Sequence, residues 1–95
     1  MAYMFCRNRV RNVSEWKAVF DSHREAQERA GLRLEKMWTS VTDPNEVFFL
    51  FQTDTLDGAQ NFINDPSAAK AGEASGVLDG EYHFLQDLTS ADREQ

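Results

Sequence analysis

His23, His83 and Asn8 are the residues of this chain whose types best suit moving or holding a proton in an apolar setting. His23 shares a helical stripe with Trp16, Val19, Phe20, Ala26 or Gln27, and Ala30, where an aliphatic side chain is the ordinary choice. An imidazole there needs a hydrogen-bond partner or a water-lined cavity. Two readings stay open: a base lining a pocket, and a half-buried histidine bonded to a backbone carbonyl or a neighbouring side chain. His83, in Glu81-Tyr82-His83-Phe84, carries the same ambiguity, because its segment alternates poorly and its facing is not fixed. Arg7 suits a developing oxyanion if its face turns inward. Trp38, Phe49, Phe51 and Tyr82 suit either the walls of a site for a planar ligand or a plain sheet core.

Other chemistries lack their residues. The two histidines form no His-x-x-x-His pair and there is no cysteine cluster, so neither a metal site nor a bound cofactor is expected. The one cysteine, Cys6, reads as a small buried hydrophobe in a strand. Gly31, Gly58, Gly72, Gly76 and Gly80 are scattered and make no phosphate loop or dinucleotide fingerprint. No serine sits in a Gly-x-Ser-x-Gly elbow.

The chain has 95 residues, 41% of them apolar, which suits one globular domain over 1–88 with a polar C-terminal tail at 89–95. No apolar run approaches the roughly 20 residues of a membrane-spanning helix. The segment Met1 to Cys6 meets Arg7 and Arg9 too soon for a secretory signal, and a cytoplasmic location is expected. The net charge is −6, with +3 over residues 1–36 and −9 over the rest. An acidic total argues against nucleic acid as a partner. The basic first third favours an anionic small molecule locally, or pairs with the acidic remainder across the fold.

The elements that must position these groups follow from periodicity and caps. Tyr3 to Val10 alternates as a strand, and Ser14 caps a helix that runs to about Ala30 and stops at Gly31. Leu32 to Val41 and Glu46 to Gln52 make a hairpin around Asp43-Pro44-Asn45. Asp54 caps a helix from Thr55 to Asn64, Pro66 opens another to about Ala74, and Asp79 to Asp87 is the last strand. The order β-α-β-β-α-β is that of a ferredoxin-like α+β domain with a four-stranded antiparallel sheet. Val47-Phe48-Phe49-Leu50-Phe51 is apolar at both parities, so its strand needs cover on two sides. Two helical regions cover one face, and a second copy of the molecule is expected on the other.

The segments Val13 to His23, Asp43 to Val47, and Gly76-Val77-Leu78 resemble small bacterial proteins of the dimeric α/β-barrel superfamily, near the antibiotic biosynthesis monooxygenase-like group. The resemblance covers about residues 3–86. It implies a homodimer whose two sheets pack as a barrel, and a small-molecule pocket between the helices and the sheet of each copy. It also implies that His23 could act there as proton acceptor or donor, with Asn8, Trp38, Phe49, Phe51 and His83 as ligand-binding residues. Cofactor-independent monooxygenases of this kind let the substrate's carbanion react with oxygen, and the protein supplies desolvation, orientation and a proton relay. Haem-degrading relatives use a first-strand asparagine with a tryptophan and a histidine in the second helical half. Asn8 matches the first, but residues 54–76 contain neither of the others. The implied function is binding of a small planar or anionic compound, with monooxygenase or isomerase chemistry. The alternative is a non-catalytic stress, regulatory or assembly module with a packed interior.

Overall fold

The computed structural model describes residues 2–89. The elements are β1 (Ala2–Val10), α1 (Val13–Ser22), α2 (Arg24–Arg29), β2 (Leu32–Thr39), β3 (Glu46–Thr53), α3 (Leu56–Asn64), α4 (Pro66–Ala74) and β4 (Val77–Gln86). The four strands form one antiparallel sheet in the order β2-β3-β1-β4, and the helices cover one of its faces, which is the ferredoxin-like α+β arrangement. The expected tail at 89–95 lies outside the described residues except for Thr89. Among the described residues, no helix is long and apolar enough to cross a membrane.

The local signals hold at the helix ends with two changes of residue. Asn12, not Ser14, caps α1: its Oδ1 accepts from Glu15 N at 3.0 Å. Thr55, not Asp54, caps α3, its hydroxyl accepting from Gly58 N at 3.0 Å, because the Asp54 carboxylate pairs with Arg33 at 2.7 Å. Asp65 caps α4 through Ser67 N, and Pro66 takes the first helical position, where its missing amide costs nothing. Gly31 and Gly76 follow the helical regions with φ of 83° and 81°, values that L side chains rarely adopt.

The expected single helix from residue 14 to 30 is broken at His23. In an unbroken helix the Val19 carbonyl would accept from the amide of residue 23. Here it accepts from the Ser22 hydroxyl at 2.6 Å and lies 2.9 Å from His23 Nδ1, while His23 N turns to Phe20 O at 3.1 Å. Two side chains have displaced a backbone donor, which loosens one turn.

Register decides what each face holds. On the helix-covered side β3 presents Val47, Phe49, Phe51 and Thr53, and β1 presents Met4, Cys6, Asn8 and Val10. Trp16, 2% exposed, stacks its ring among Phe20 and Phe49 at centroid distances of 4.9 and 5.5 Å; Phe20 is half-buried beside it. The free face carries Phe5, Phe48 and Leu50, so Phe48 is the outward member of the Phe48/Phe49 pair. β2 loses its alternation at a bulge between Leu34 and Lys36. Leu32 and Leu34 face the helices, whereas beyond the bulge Met37 does and Trp38 does not.

Truncating the best-buried ring tests this packing. Trp16→Ala should cost about 3–5 kcal/mol through lost transfer energy and the cavity left behind, measured as a shift in urea denaturation. Phe20→Ala, half-buried, should cost less.

Candidate ligand cavity between the helices and the sheet

Large side chains line one side of the helix layer and small ones the other. From α1 come Trp16 and Phe20, but α4 offers Ala68, Ala71 and Gly72 toward the sheet, with Ser75 at its C-cap, and a Cβ placed at Gly72 would meet nothing within 4 Å. The space left over is a cavity of about 260 Å³. That is a little below the usual range of small-molecule sites, roughly 300–1,000 Å³. Its floor is Met4, Cys6, Phe49 and Phe51, and Tyr82, 51% exposed, stands at its rim on the edge strand β4.

His23 lines this cavity. Its Nδ1 lies 2.9 Å from the Val19 carbonyl, and a carbonyl only accepts, so Nδ1 carries the proton in the neutral ring. Nε2 is then the unprotonated nitrogen, and no described residue hydrogen-bonds to it. Asn8, Phe49 and Phe51 line the same cavity. Asn8 is there because its partner on β4 is a glycine: a Cβ on Gly80 would overlap the Asn8 carboxamide.

Trp38 and His83 are placed elsewhere. Trp38 is 40% exposed on the free face, 6.3 Å from the Phe5 ring, because the bulge in β2 reverses its parity. His83 pairs with Phe5 across the sheet, and its Nε2 lies 3.0 Å from Glu81 Oε2. Arg7 also faces outward, so the oxyanion role its inward-facing reading offered is not available to it. It donates to Glu81 at 2.8 Å, Glu46 at 3.1 Å and Asp79 at 3.2 Å, binding three carboxylates from two strands. The site residue missed in the sequence is Gln27, buried and lining the cavity one turn beyond His23. Its signal was a carboxamide at the i+4 position of an apolar stripe.

Electrostatics differ between the two faces. Inside, burial pushes the Cys6 thiol up to about 12, so its thiolate is scarce at neutral pH. Outside, the hydrogen bond from Arg7 holds Glu81 below its ordinary value, the bond from Arg9 does the same for Asp79, and Glu81 in turn raises Arg7. Among the described residues, no group of three or more His, Cys, Asp or Glu is arranged to hold a metal ion.

With this geometry in view, comparison with solved structures is informative about the fold. An oxygenase from Streptomyces nogalater described as cofactor-independent, SnoaB in a mutant form, superposes with a TM-score of 0.73 at 13% identity, covering 92% of each chain. A Bordetella bronchiseptica protein, described as a "putative antibiotic biosynthesis monooxygenase", gives 0.74 at 15% identity over 92% of this chain and 96% of its own. Another antibiotic biosynthesis monooxygenase gives 0.69 at 8% identity over 93% and 99%. No family model matches the sequence, and no curated protein matches it. The chain has the ferredoxin-like fold of the antibiotic biosynthesis monooxygenase-like structures.

Two measurements check these environments. Asp79 and Glu81 have lowered folded-state pKa values, so their pairs stabilise the fold above the ordinary values of 3.8 and 4.5, and that contribution is lost as pH falls through the lowered ones. Arg7→Gln should therefore flatten the acid limb of a stability-versus-pH curve and leave its neutral shape alone. Cys6 should resist a soluble maleimide at pH 7 in the folded protein and react at once in denaturant.

Proposed function

We propose that this cavity binds a small planar compound bearing an acidic proton, and that His23 Nε2 accepts the proton. The observation that carries this reading is a contact: His23 Nδ1 lies 2.9 Å from Val19 O, whose other donor is the Ser22 hydroxyl, which assigns the proton to Nδ1 and leaves the lone pair on the second nitrogen of a ring that lines an aromatic cavity. Deprotonation in such a site leaves an electron-rich anion shielded from bulk water. That anion is competent to react with oxygen without a cofactor, or to take its proton back at another carbon as an isomerase would require. The likeness to SnoaB favours the oxygen reaction. Asn8 at the sheet end of the cavity, with Phe49 and Phe51 beneath, would orient the ring system.

The reading includes a homodimer. Phe5, Phe48, Leu50 and Trp38 put a band of apolar surface on the free sheet face, and a second copy of the same face is its natural cover. We place the protein in the cytoplasm, a location that an unpaired, buried Cys6 suits.

Sedimentation at micromolar concentration should give about twice the 10.9 kDa chain mass, and Phe48→Asp should yield a destabilised or aggregating monomer. A wild-type protein that stays monomeric would remove the barrel from the reading. For the chemistry, a thermal-shift screen of planar phenols and enolisable carbonyl compounds should identify stabilising ligands, and an oxygen electrode should then test each for turnover. His23→Gln should keep the fold and lower turnover by about 10²–10⁴-fold. If it lowers only the melting temperature, with ligands still bound and turned over, His23 is a helix-end residue and not a base.

A further inference from the structure

One deeply buried polar side chain of the cavity wall is unmatched by the described residues. Gln27 is 4% exposed, and no described residue hydrogen-bonds to its carboxamide. Ser75, the other buried polar residue of the wall, is satisfied, since its hydroxyl donates to Gly72 O at 3.0 Å. The Gln27 amide is not sealed off either. Among the described side chains, the fully enclosed polar atom without a partner is Thr53 Oγ1, so the Gln27 carboxamide keeps some exposure, and Gln27 lines the cavity. Its backbone places it well: Gln27 N donates to His23 O at 2.9 Å, which sets the two side chains one turn apart on the same helix face.

A carboxamide offers two donors and an acceptor oxygen, and burying it unpaired is unfavourable compared with an apolar residue of similar size. Its stripe neighbours Trp16, Phe20 and Ala26 are apolar, so the helix itself gives no reason for an amide at this position. The cavity does. We propose that Gln27 is a ligand-binding residue: its amide N–H donates to the oxygen of a hydroxylated planar compound whose O–H proton points to His23 Nε2. A phenolic or enolic oxygen satisfies both partners, because it donates one hydrogen bond and accepts another. When the proton moves to Nε2 the same oxygen becomes an anion, and the Gln27 donor is already aimed at it. The Gln27 amide would thereby discriminate such compounds from hydrocarbon analogues of the same shape. This inference rests on the cavity being a ligand site.

The test uses 2-naphthol and naphthalene as probes, titrated into wild type, Gln27→Leu and Ala71→Phe, the last filling the space under α4. Wild type should prefer 2-naphthol. Gln27→Leu should lose about threefold to tenfold in 2-naphthol affinity, the worth of one hydrogen bond, while holding naphthalene as tightly as before and keeping or raising its melting temperature. Ala71→Phe should bind neither. Unchanged 2-naphthol affinity in Gln27→Leu would overturn the role of Gln27, since the amide would then serve only to hold cavity water. If Gln27→Leu does not fold, Gln27→Met makes the same comparison. Wild type binding neither probe, or Ala71→Phe binding both normally, would bring down the cavity reading itself and this inference with it.

Discussion

A sheet whose two central strands are apolar on both faces is the constraint on which the rest of this molecule depends. β3 places Phe49 and Phe51 under the helices and Phe48 and Leu50 on the other side, and β1 likewise divides Met4 and Cys6 from Phe5. Four helices of six to ten residues can blanket one such face and no more. The inner face becomes the core and the outer face remains apolar along its middle. At one end of that outer face Arg7 and Arg9 gather Glu46, Asp79 and Glu81, while on β2 Lys36 lies opposite Leu50 and Arg33 opposite Gln52. The pairs are partly exposed, so each adds little stability, and their stronger effect is on register, because a slip of one residue would bury these charges among the helices.

The cavity is a consequence of unequal helices over an even floor. α1 meets the sheet with Trp16 and Phe20, whose rings stack on Phe49 and Phe51 and hold that side of the layer at a fixed height. α4 meets it with alanines and a glycine, and none of its residues is buried. Small side chains cannot reach a floor whose distance the large ones have set. The void is therefore built into the composition of Pro66 to Ala74, and it is walled by aromatic rings with the polar groups Asn8, His23 and Gln27 among them. A void left by poor packing alone would have no reason to collect three polar side chains, since each is costly where it cannot be hydrogen-bonded.

Most of the fold was legible in the sequence because each element announced itself locally and the order of elements admitted few topologies. The departures share one cause. Strand parity and helix continuity depend on single residues that deviate from the period, and a sequence pattern averages over them. Glu35 sits between the two registers of β2, and that one extra residue sends Trp38 to the free face and Met37 to the core. His83 could not be assigned a face until its pairing with Phe5 was known. Ser22 and His23 each compete with the backbone for one carbonyl, a local contest that neither helix propensity nor hydrophobic spacing records. Gln27 was placed on the apolar stripe by spacing, but its importance lies in lacking a partner, which only the packed structure can reveal.

That contest at Val19 also shapes what chemistry the site can support. The contact between His23 Nδ1 and Val19 O is, with the Ser22 hydroxyl, the one that interrupts the helix, and the same residue lines the cavity. The helix after this ring carries Gln27 to the next turn. An imidazole oriented by a backbone carbonyl needs no carboxylate to hold it, and the hydrogen bonds of this ring run to a carbonyl and a hydroxyl. Among the described residues its second nitrogen has no hydrogen-bond partner. At 8–15% identity to these three solved structures the likeness is one of fold, and a shared fold does not by itself fix what the polar residues of the cavity do.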